Sequence, residues 1–275
     1  MLLRSRLVWA ILIFATARCF AAEDPNEQAL KIAAALEEVT RVIDNSPDEK
    51  DPYIRRAVIY SFAGRHDLAI ADCDHVLASD PLAASVYDQR GSEYFMLGKI
   101  EQAIQDFDRA IHLRPATEPA HWKRGIAYYY AGRYADGKRQ FEGYQTVDKS
   151  DVENAVWRFL CMARSEGLDA ARRDLLKINR DTRVPMMTIY ELFAGKARPS
   201  DVLEAARAGS PSPDELNTRL FYAHLYLGLY DEVSGNRSGA KEHLAIAVRD
   251  HKVNHYMWNV AEVHLQQLQK PASKG

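Results

Sequence analysis

The sequence predicts an all-α protein built from repeated helix–turn–helix units, and three observations support this fold class. The 275 residues are 47% hydrophobic and 27% charged, the composition of a folded globular chain rather than a disordered one. Long alternations of β-branched residues between turns, the pattern of β-strands, are missing. Residues of the same type also recur every 34 positions through the middle of the chain. Together these features favour a solenoid of paired helices.

The 34-residue period is the strongest of these signals. Tyrosine, glycine and arginine each recur in three consecutive segments, and a cysteine or phenylalanine follows in each segment. The columns are Tyr60, Tyr94 and Tyr128; Gly64, Gly98 and Gly132; Arg56, Arg90 and Arg124; and Cys73, Phe107 and Phe141. Thirty-four residues is the period of the tetratricopeptide repeat (TPR), a helix–turn–helix unit. The sequence therefore predicts a TPR helix-turn-helix solenoid, with atypical C-terminal repeats and a terminal capping helix.

Each recurring position has a physical reason within the repeat. Gly91 has no side chain, so the second helix of its repeat can approach closely, and Phe107 fills the space between the two helices. Gly98 supplies the permissive backbone of the turn. Gly137 stands where the other repeats have alanine, and we expect looser packing there. The arginine column should form ion pairs with the acids that also recur on the second helices, Asp72 and Asp106, rather than a binding stripe.

The first residues have the three-part layout of a secretory signal peptide. Arg4 and Arg6 precede a short apolar run over 7–14, and small residues follow. Residues 1–21 are therefore predicted to be removed on export to the periplasm, by cleavage after Ala21 or, alternatively, Ala17. An uncleaved anchor is the other interpretation. Cys19 could also be lipidated as in a lipoprotein, but Arg18 before it fits such a site poorly.

The rest of the chain divides by its repeat pattern. Residues 22–47 form an amphipathic helix, 48–149 three TPR repeats, 150–210 degenerate helical repeats, and 211–270 a C-terminal TPR-like repeat plus capping helix, for which Asn254 is the expected N-cap. Apolar residues recur along the first helix at spacings of four, three and four: Ile32, Leu36, Val39 and Ile43. This stripe predicts either a cap packed on the first repeat or the seam of a homodimer.

The first helices of TPR repeats line a concave groove, and helical spacing places a set of mostly apolar residues there. The candidates are Ile54, Phe62, Asp88, Ser92, Phe95, Met96, Trp122, Tyr129 and Tyr130. Consecutive helical residues step about 100° around the axis, so with Tyr128 on the core column, Tyr129 or Tyr130 must face outward or into the groove. Such an aromatic groove suits an apolar or extended peptide. The basic clamp of chaperone-binding TPR domains is absent, since Ile54, Asp88 and Trp122 hold its positions.

Other classes of function find little support in the sequence. A formal net charge of −2 gives no basic field that would attract nucleic acid. No phosphate-binding loop, nucleophile elbow or Cys-x-x-Cys pair occurs, so neither a cofactor nor a catalytic residue is predicted. His251 and His255 have a spacing compatible with a metal on one helix face, but a third ligand is not evident. Repeat positions account for nearly every distinctive residue, and an enzyme is not expected.

The C-terminal half resembles the NlpI family of bacterial TPR lipoproteins. The similar segments are 187–196, a short helix ending in an aromatic-x-Gly turn; 222–229, which is like that family's penultimate repeat; and 239–248 followed by 254–256. The resemblance implies an outer-membrane adaptor, usually a homodimer, that binds a periplasmic tail-specific protease and peptidoglycan hydrolases. The Arg18-Cys19 pair departs from the family's lipidation site.

These observations favour a non-catalytic adaptor of the bacterial cell envelope whose partners are envelope proteins or peptides. The alternative is an exported module that holds a peptide or cell-wall fragment in its concave groove. Association with the membrane is expected only if Cys19 is lipidated or the signal remains uncleaved.

Overall fold

The computed structural model describes residues 25–270, and this part of the chain is helical without a strand. The predicted signal peptide 1–21 and Cys19 lie outside the described residues. The chain divides into two compact units, Met1–Asp72 and Cys73–Gly275, and the boundary falls within the third described helix. Among the described helices, none has the length and apolar character needed to cross a membrane.

The first unit contains helix α1 (Pro25–Asn45), helix α2 (Lys50–Phe62) and the beginning of helix α3 (His66–Ser79). Helix α1 packs along α2. Two residues of the predicted stripe, Val39 and Ile43, are only 4% and 6% exposed, whereas Ile32 and Leu36 are half-buried. The stripe is thus buried within the chain at its C-terminal end, as expected of a cap on the first repeat. The dimer seam stays a prediction.

The second unit continues with eleven α-helices among its described residues. They are α4 (Ala84–Met96), α5 (Ile100–Leu113), α6 (Trp122–Tyr130), α7 (Tyr134–Tyr144), α8 (Val152–Glu166), α9 (Leu168–Arg173), α10 (Met186–Phe193), α11 (Pro199–Arg207), α12 (Pro213–Val233), α13 (Arg237–Asp250) and α14 (Tyr256–Gln269). A 3₁₀ helix, Pro115–Ala120, joins α5 to α6. Consecutive helices pack against each other in pairs, α4 with α5, α6 with α7 and α12 with α13.

Glycine has the roles that the repeat pattern assigned to it. Gly98 and Gly132 adopt φ of 68° and 73° in the turns between paired helices, a left-handed conformation that costs other residues energy. A Cβ added at Gly91 would lie 2.8 Å from Cε1 of Phe107. The expectation of looser packing at Gly137 is wrong, because a Cβ there would lie 2.7 Å from Sγ of the buried Cys161.

The predicted ion pairs of the arginine column are present. In the first unit Arg56 Nε donates to Asp72 Oδ2 at 2.8 Å, and in the second Arg90 Nε donates to Asp106 Oδ2 at 2.7 Å. Gln140 takes the place of the acid in the next repeat, where its Oε1 accepts from Arg124 Nε at 2.9 Å. These bonds satisfy buried polar groups inside the repeats, so the column is structural.

The arginine column and its acidic partners extend one repeat further, to the pair α8–α9. Arg158 lies 34 residues after Arg124, and its Nη2 lies 2.5 Å from Asp174 Oδ2, again 16 residues ahead. The pair α8–α9 is therefore a fourth repeat in register, although its tyrosine and glycine columns are lost. The 34-residue spacing of the arginines could have revealed it.

Side chains cap two helices of the C-terminal part. Ser212 caps α12, accepting from the backbone N–H of Glu215. Asn254 does not cap α14; the N-cap is His255, whose side chain accepts from the backbone N–H of Met257. His255 and His251 also bond to different partners, Tyr222 and Asn217.

Candidate binding surface

The C-terminal helix α14 packs on part of the predicted groove. Its first residue, Tyr256, places its ring 5.2 Å from that of Trp122 in an edge-to-face arrangement and 5.7 Å from that of Phe95. Lys123 holds its Nζ 5.6 Å from the centre of the Tyr256 ring. We call Phe95, Trp122, Tyr130 and Tyr256 the aromatic surface. The inner faces of α4 and α6 are thus partly filled by the chain itself.

The predicted groove residues of the second unit differ in exposure. Phe95, Ser92 and Tyr129 are buried, whereas Asp88, Met96, Trp122 and Tyr130 are half-buried. In the first unit, Ile54 is half-buried and Phe62 is 38% exposed. Of the nine predicted residues, the structure brings Phe95, Trp122 and Tyr130 together around Tyr256.

The side chains of the consecutive residues Tyr128, Tyr129 and Tyr130 pack against different residues. The guanidinium carbon of Arg133 lies over the ring of Tyr128, 4.4 Å from the centre of that ring. Tyr129 packs edge-on against Trp157, with ring centres 5.5 Å apart. Tyr130 packs edge-on against Phe95. Helices from both sides cover α6, so none of the three projects freely into solvent.

A polar network fixes α14 to the aromatic surface. Tyr130 Oη lies 2.8 Å from Nδ1 of His264, and the other ring nitrogen of His264 lies 3.1 Å from Oε2 of Glu232. Arg164 Nη2 pairs with Oε1 of the same carboxylate at 2.6 Å. Burial alone would raise the pKa of Glu232, but the adjacent His264 and Arg164 lower it to about 2. Sequence reasoning missed this network because its members come from four separate helices.

One cavity opens beside Trp122 toward α4. Its volume is about 310 Å³, and it is lined by Ala84, Ser85, Asp88, Ala110, Arg114, Thr117, Ala120, His121, Trp122 and Lys123. We call it the Asp88 cavity. Asp88 Oδ2 accepts from Lys123 Nζ at 2.7 Å, and His121 Nε2 lies 3.1 Å from Oδ1. Burial opposes ionisation, but these two partners lower the pKa of Asp88 to about 2, so the acid stays charged.

A second cavity lies on the other side of Trp122. Its volume is about 180 Å³, and it is lined by Trp122, Ile126, Phe141, Tyr144, Asp151, Glu153, Asn154, Trp157, Arg183, His255 and Met257. We call it the Glu153 cavity. Trp122 contributes to both cavities, and the start of α14 forms part of the wall of this one. The cavity is therefore built from residues more than a hundred positions apart.

Two carboxyl groups of this lining, and a third outside it, bond to one guanidinium. Arg183 donates to Asp151 Oδ1 at 2.6 Å, to Glu153 Oε1 at 2.7 Å and to Asp181 Oδ2 at 2.6 Å. Tyr226 donates its hydroxyl to the other oxygen of Glu153 at 2.7 Å. Burial raises the pKa of Glu153 to about 7, against the lowering influence of Arg183 and Tyr226. Both of its oxygens are engaged, and the cavity lining contains no serine or cysteine.

Two buried polar atoms of the same lining lack a hydrogen-bond partner among the described residues, Oδ1 of Asn154 and Nε1 of Trp157. The amide nitrogen of Asn154 donates to the carbonyl of Phe141 at 3.0 Å, which fixes the side chain. Across residues 25–270, no cluster of three or more His, Cys, Asp or Glu side chains has an arrangement that could bind a metal ion.

Comparison with known proteins supports the fold. Residues 91–132 match the family model described as TPR repeat. A tetratricopeptide repeat protein from Parabacteroides merdae is 14% identical, with a TM-score of 0.57 over 88% of this chain and 94% of that one. The MamA protein is 18% identical, with a TM-score of 0.50 over 68% and 92% of the two chains. A search of curated proteins found no match.

This chain is thus similar to TPR proteins in a matched repeat and in fold, and the predicted all-α TPR solenoid is confirmed. TPR proteins are interaction scaffolds whose stacked repeats present an extended binding surface. At these identities the structural likeness concerns the fold alone. The particular resemblance of the C-terminal half to the NlpI family finds no counterpart among these matches.

Proposed function

We propose that this protein is a non-catalytic adaptor of the bacterial cell envelope that binds partner proteins or peptides at the aromatic surface. The observation that carries the proposal is the position of Trp122, half-buried between two cavities that the chain leaves unfilled. Large aromatic residues at the edge of open cavities contribute most to binding when a partner desolvates them. The helix α14 supplies a further wall and does not fill either cavity.

A scaffold role is also supported by the chemistry of the two cavities. Asp88 is held by Lys123 and His121, and Glu153 is held by Arg183 and Tyr226, so neither carboxyl has an oxygen placed for proton transfer to a substrate. General acid–base catalysis requires such a group within hydrogen-bond reach of the reacting atom. We therefore assign both cavities to binding.

The envelope location and the partners are inferred from the sequence. The signal-peptide layout of residues 1–21 supports export, and the resemblance to the NlpI family suggests recruitment of a tail-specific protease or of cell-wall hydrolases. Of the predicted seam, Val39 and Ile43 are buried within the chain, so a homodimer remains part of this proposal only through the half-buried Ile32 and Leu36.

The alternative, an exported module for a peptide or cell-wall fragment, is favoured by one observation, the small volume of the Glu153 cavity, about 180 Å³. The two functions differ in what stabilises the protein. A stable protein partner supports the adaptor, whereas thermal stabilisation by muropeptides alone supports the small-fragment module.

The adaptor is tested by affinity capture from a cell-envelope fraction, followed by mass spectrometry. Wild-type protein should retain a reproducible set of envelope proteins, and Trp122→Ala should lose them. Trp258→Ala is the matched control, because Trp258 is also half-buried but lines neither cavity. Capture that is equal for wild type and Trp122→Ala would contradict the proposal.

A further inference from the structure

We propose that His224 and His243 bind one Cu(II) ion between helices α12 and α13. The inference goes beyond the proposed adaptor function and is independent of it, because neither histidine lines the Asp88 cavity or the Glu153 cavity. It is carried by the distance between two imidazole nitrogens, by the side from which an ion can reach them, and by the groups around them.

Two imidazole rings face each other between these helices. Nδ1 of His224 lies 2.9 Å from Nδ1 of His243, and the ring centres are 5.1 Å apart. A hydrogen bond between the two nitrogens needs one proton, which only one of the neutral rings can carry on Nδ1. When both rings carry their proton on Nε2 instead, both Nδ1 lone pairs become free for a metal ion. Such a pair of neutral imidazole nitrogens is a ligand set for divalent transition metals.

The distance between the two nitrogens favours square-planar coordination. With metal–nitrogen bonds of about 2.0–2.1 Å, neighbouring ligands of a square-planar ion lie about 2.9 Å apart, and ligands of a tetrahedral ion about 3.3–3.4 Å apart. A turn of each ring about its Cβ–Cγ bond directs both lone pairs to one point. Square-planar coordination by nitrogen is typical of Cu(II) and Ni(II), and Cu(II) binds such ligands more tightly.

The pair is open on the side of helix α13. His224 on α12 is only 6% exposed, whereas His243 on α13 is half-buried, so an ion can reach the nitrogens past His243. His251 stacks on His224 with an angle of 19° between the ring planes, and its own Nδ1 lies 3.1 Å from Oδ1 of Asn217. These contacts hold the inner ring of the pair in place.

The neighbouring groups indicate a site that exchanges its ion. The charge of Arg207 opposes a further positive charge at His224, and that of Asp250 favours it. Within residues 25–270, no third His, Cys, Asp or Glu side chain joins the pair in an arrangement that could bind a metal ion. Water therefore completes the coordination, unlike in a closed structural site with four protein ligands.

The first test titrates Cu(II) alone into the tag-free mature protein at neutral pH, after treatment with a chelator. We expect one ion per chain to bind saturably, with the electron paramagnetic resonance spectrum of a square-planar ion that has two nitrogen ligands. Zn(II) and Ni(II), titrated in the same way, should bind more weakly. Copper binding without saturation, a spectrum with fewer than two nitrogens, or tighter binding of Zn(II) would overturn the inference.

Substitutions then locate the ligands. His243→Gln should weaken Cu(II) binding by about tenfold or more, and circular dichroism checks that this half-buried position tolerates the change. His112→Gln is the control, an exposed histidine of helix α5, and should bind as wild type. Equal affinity in wild type and His243→Gln would mean an adventitious ion only.

The position between two helices is tested by urea unfolding. Cu(II) should raise the midpoint of the wild type and of His112→Gln, because the ion joins α12 to α13 only in the folded state. The midpoint of His243→Gln should not respond to Cu(II). A wild-type midpoint that copper leaves unchanged would contradict a site between these helices, and the capture of partners by the aromatic surface is unaffected by either result.

Discussion

Trp122 is the residue at which binding and packing can be separated by substitution. Its ring contacts Tyr256 edge-on, an interaction worth about 0.5–1.5 kcal/mol, while its remaining surface lines both cavities. We therefore expect Trp122→Ala to reduce the free energy of unfolding by about 1–2 kcal/mol and to weaken partner binding by about 2 kcal/mol or more. Urea unfolding and a binding titration on the same variant measure the two effects.

Trp258→Ala should instead lower the free energy of unfolding and leave partner binding unchanged. Trp258 donates its indole N–H to the carbonyl of Val248 and packs beneath Lys252, so its loss affects stability and not binding. If Trp122→Ala instead unfolds with a loss of about 3–5 kcal/mol, the residue belongs to the core. If it binds its partner as well as wild type does, the aromatic surface is not the site.

Gly91 and Phe107 form one contact between the paired helices α4 and α5. We expect Gly91→Ala to destabilise by about 1–3 kcal/mol, because the added Cβ would lie 2.8 Å from the Phe107 ring. Phe107→Ala should cost about 3–5 kcal/mol, since the ring is fully buried. Combining Gly91→Ala with Phe107→Leu should cost clearly less than the sum of the single changes, as determined by urea unfolding. Additive effects would show that the two residues do not touch.

At the scale of elements, helix α14 is held by the carboxylate of Glu232 from helix α12. Glu232→Ala leaves Arg164 and His264 without their shared partner, so the local opening free energy of α14 should fall by about 3 kcal/mol. Hydrogen exchange of the α14 amides measures this, and the amides of α4 and α5 should be unaffected. Glu242→Ala, an exposed acid of α13, is the control. Unchanged exchange in α14 would mean that its apolar contacts alone hold it.

The contact between helices α12 and α13 should be sensitive to acid. Nδ1 of His224 lies 2.9 Å from Nδ1 of His243, and the ring of His251 stacks on that of His224. Burial, together with His243, His251 and Arg207, lowers the pKa of His224 to about 4, while Asp250 acts weakly in the other direction. The folded state therefore resists protonation of His224 more than the unfolded state does.

The sign of the pH dependence follows from this difference. The contribution of His224 is fully present above pH 6.5, the usual pKa of histidine, and is lost as the pH falls from 6.5 to 4, by up to about 3 kcal/mol. Urea unfolding across this range should show a steep loss in wild type and a shallower one in His224→Gln. Parallel curves for the two proteins would assign the acid sensitivity to other groups.

At the scale of the whole molecule, the proposed location makes a prediction about the mature chain. Intact mass measurement of protein from the periplasmic fraction should show the loss of residues 1–21, or of 1–17, without an added lipid. The apolar run over 7–14 is shorter than the about 20 residues of a spanning helix, which favours cleavage. A diacylated Cys19 at the new amino terminus would contradict a soluble periplasmic protein and would bring the chain closer to the NlpI family.

The sequence by itself determined the features that repeat within one helical pair. Each of these features joins residues that are at most 16 positions apart. They are the turns at Gly98 and Gly132, the contact between Gly91 and Phe107, and the pairing of Arg90 with Asp106. Their spacing is imposed by helix geometry and by the length of the turn, so a 34-residue period was enough to predict them. The same period extends to Arg158 and Asp174, where the other columns of the repeat are lost.

The tertiary structure alone decided where α14 lies and which groups meet around it. Tyr130 and His264 are 134 residues apart, and Tyr226 reaches Glu153 across 73 residues. No periodicity relates such pairs, because their distance in space depends on the summed angles and packing of all the intervening helices. Trp122 was predicted to face the groove, but its place between two cavities, opposite Tyr256, depends on the fold of the C-terminal helix back onto α6. The Glu153 cavity exists for the same reason, since its wall is completed by His255 and Met257.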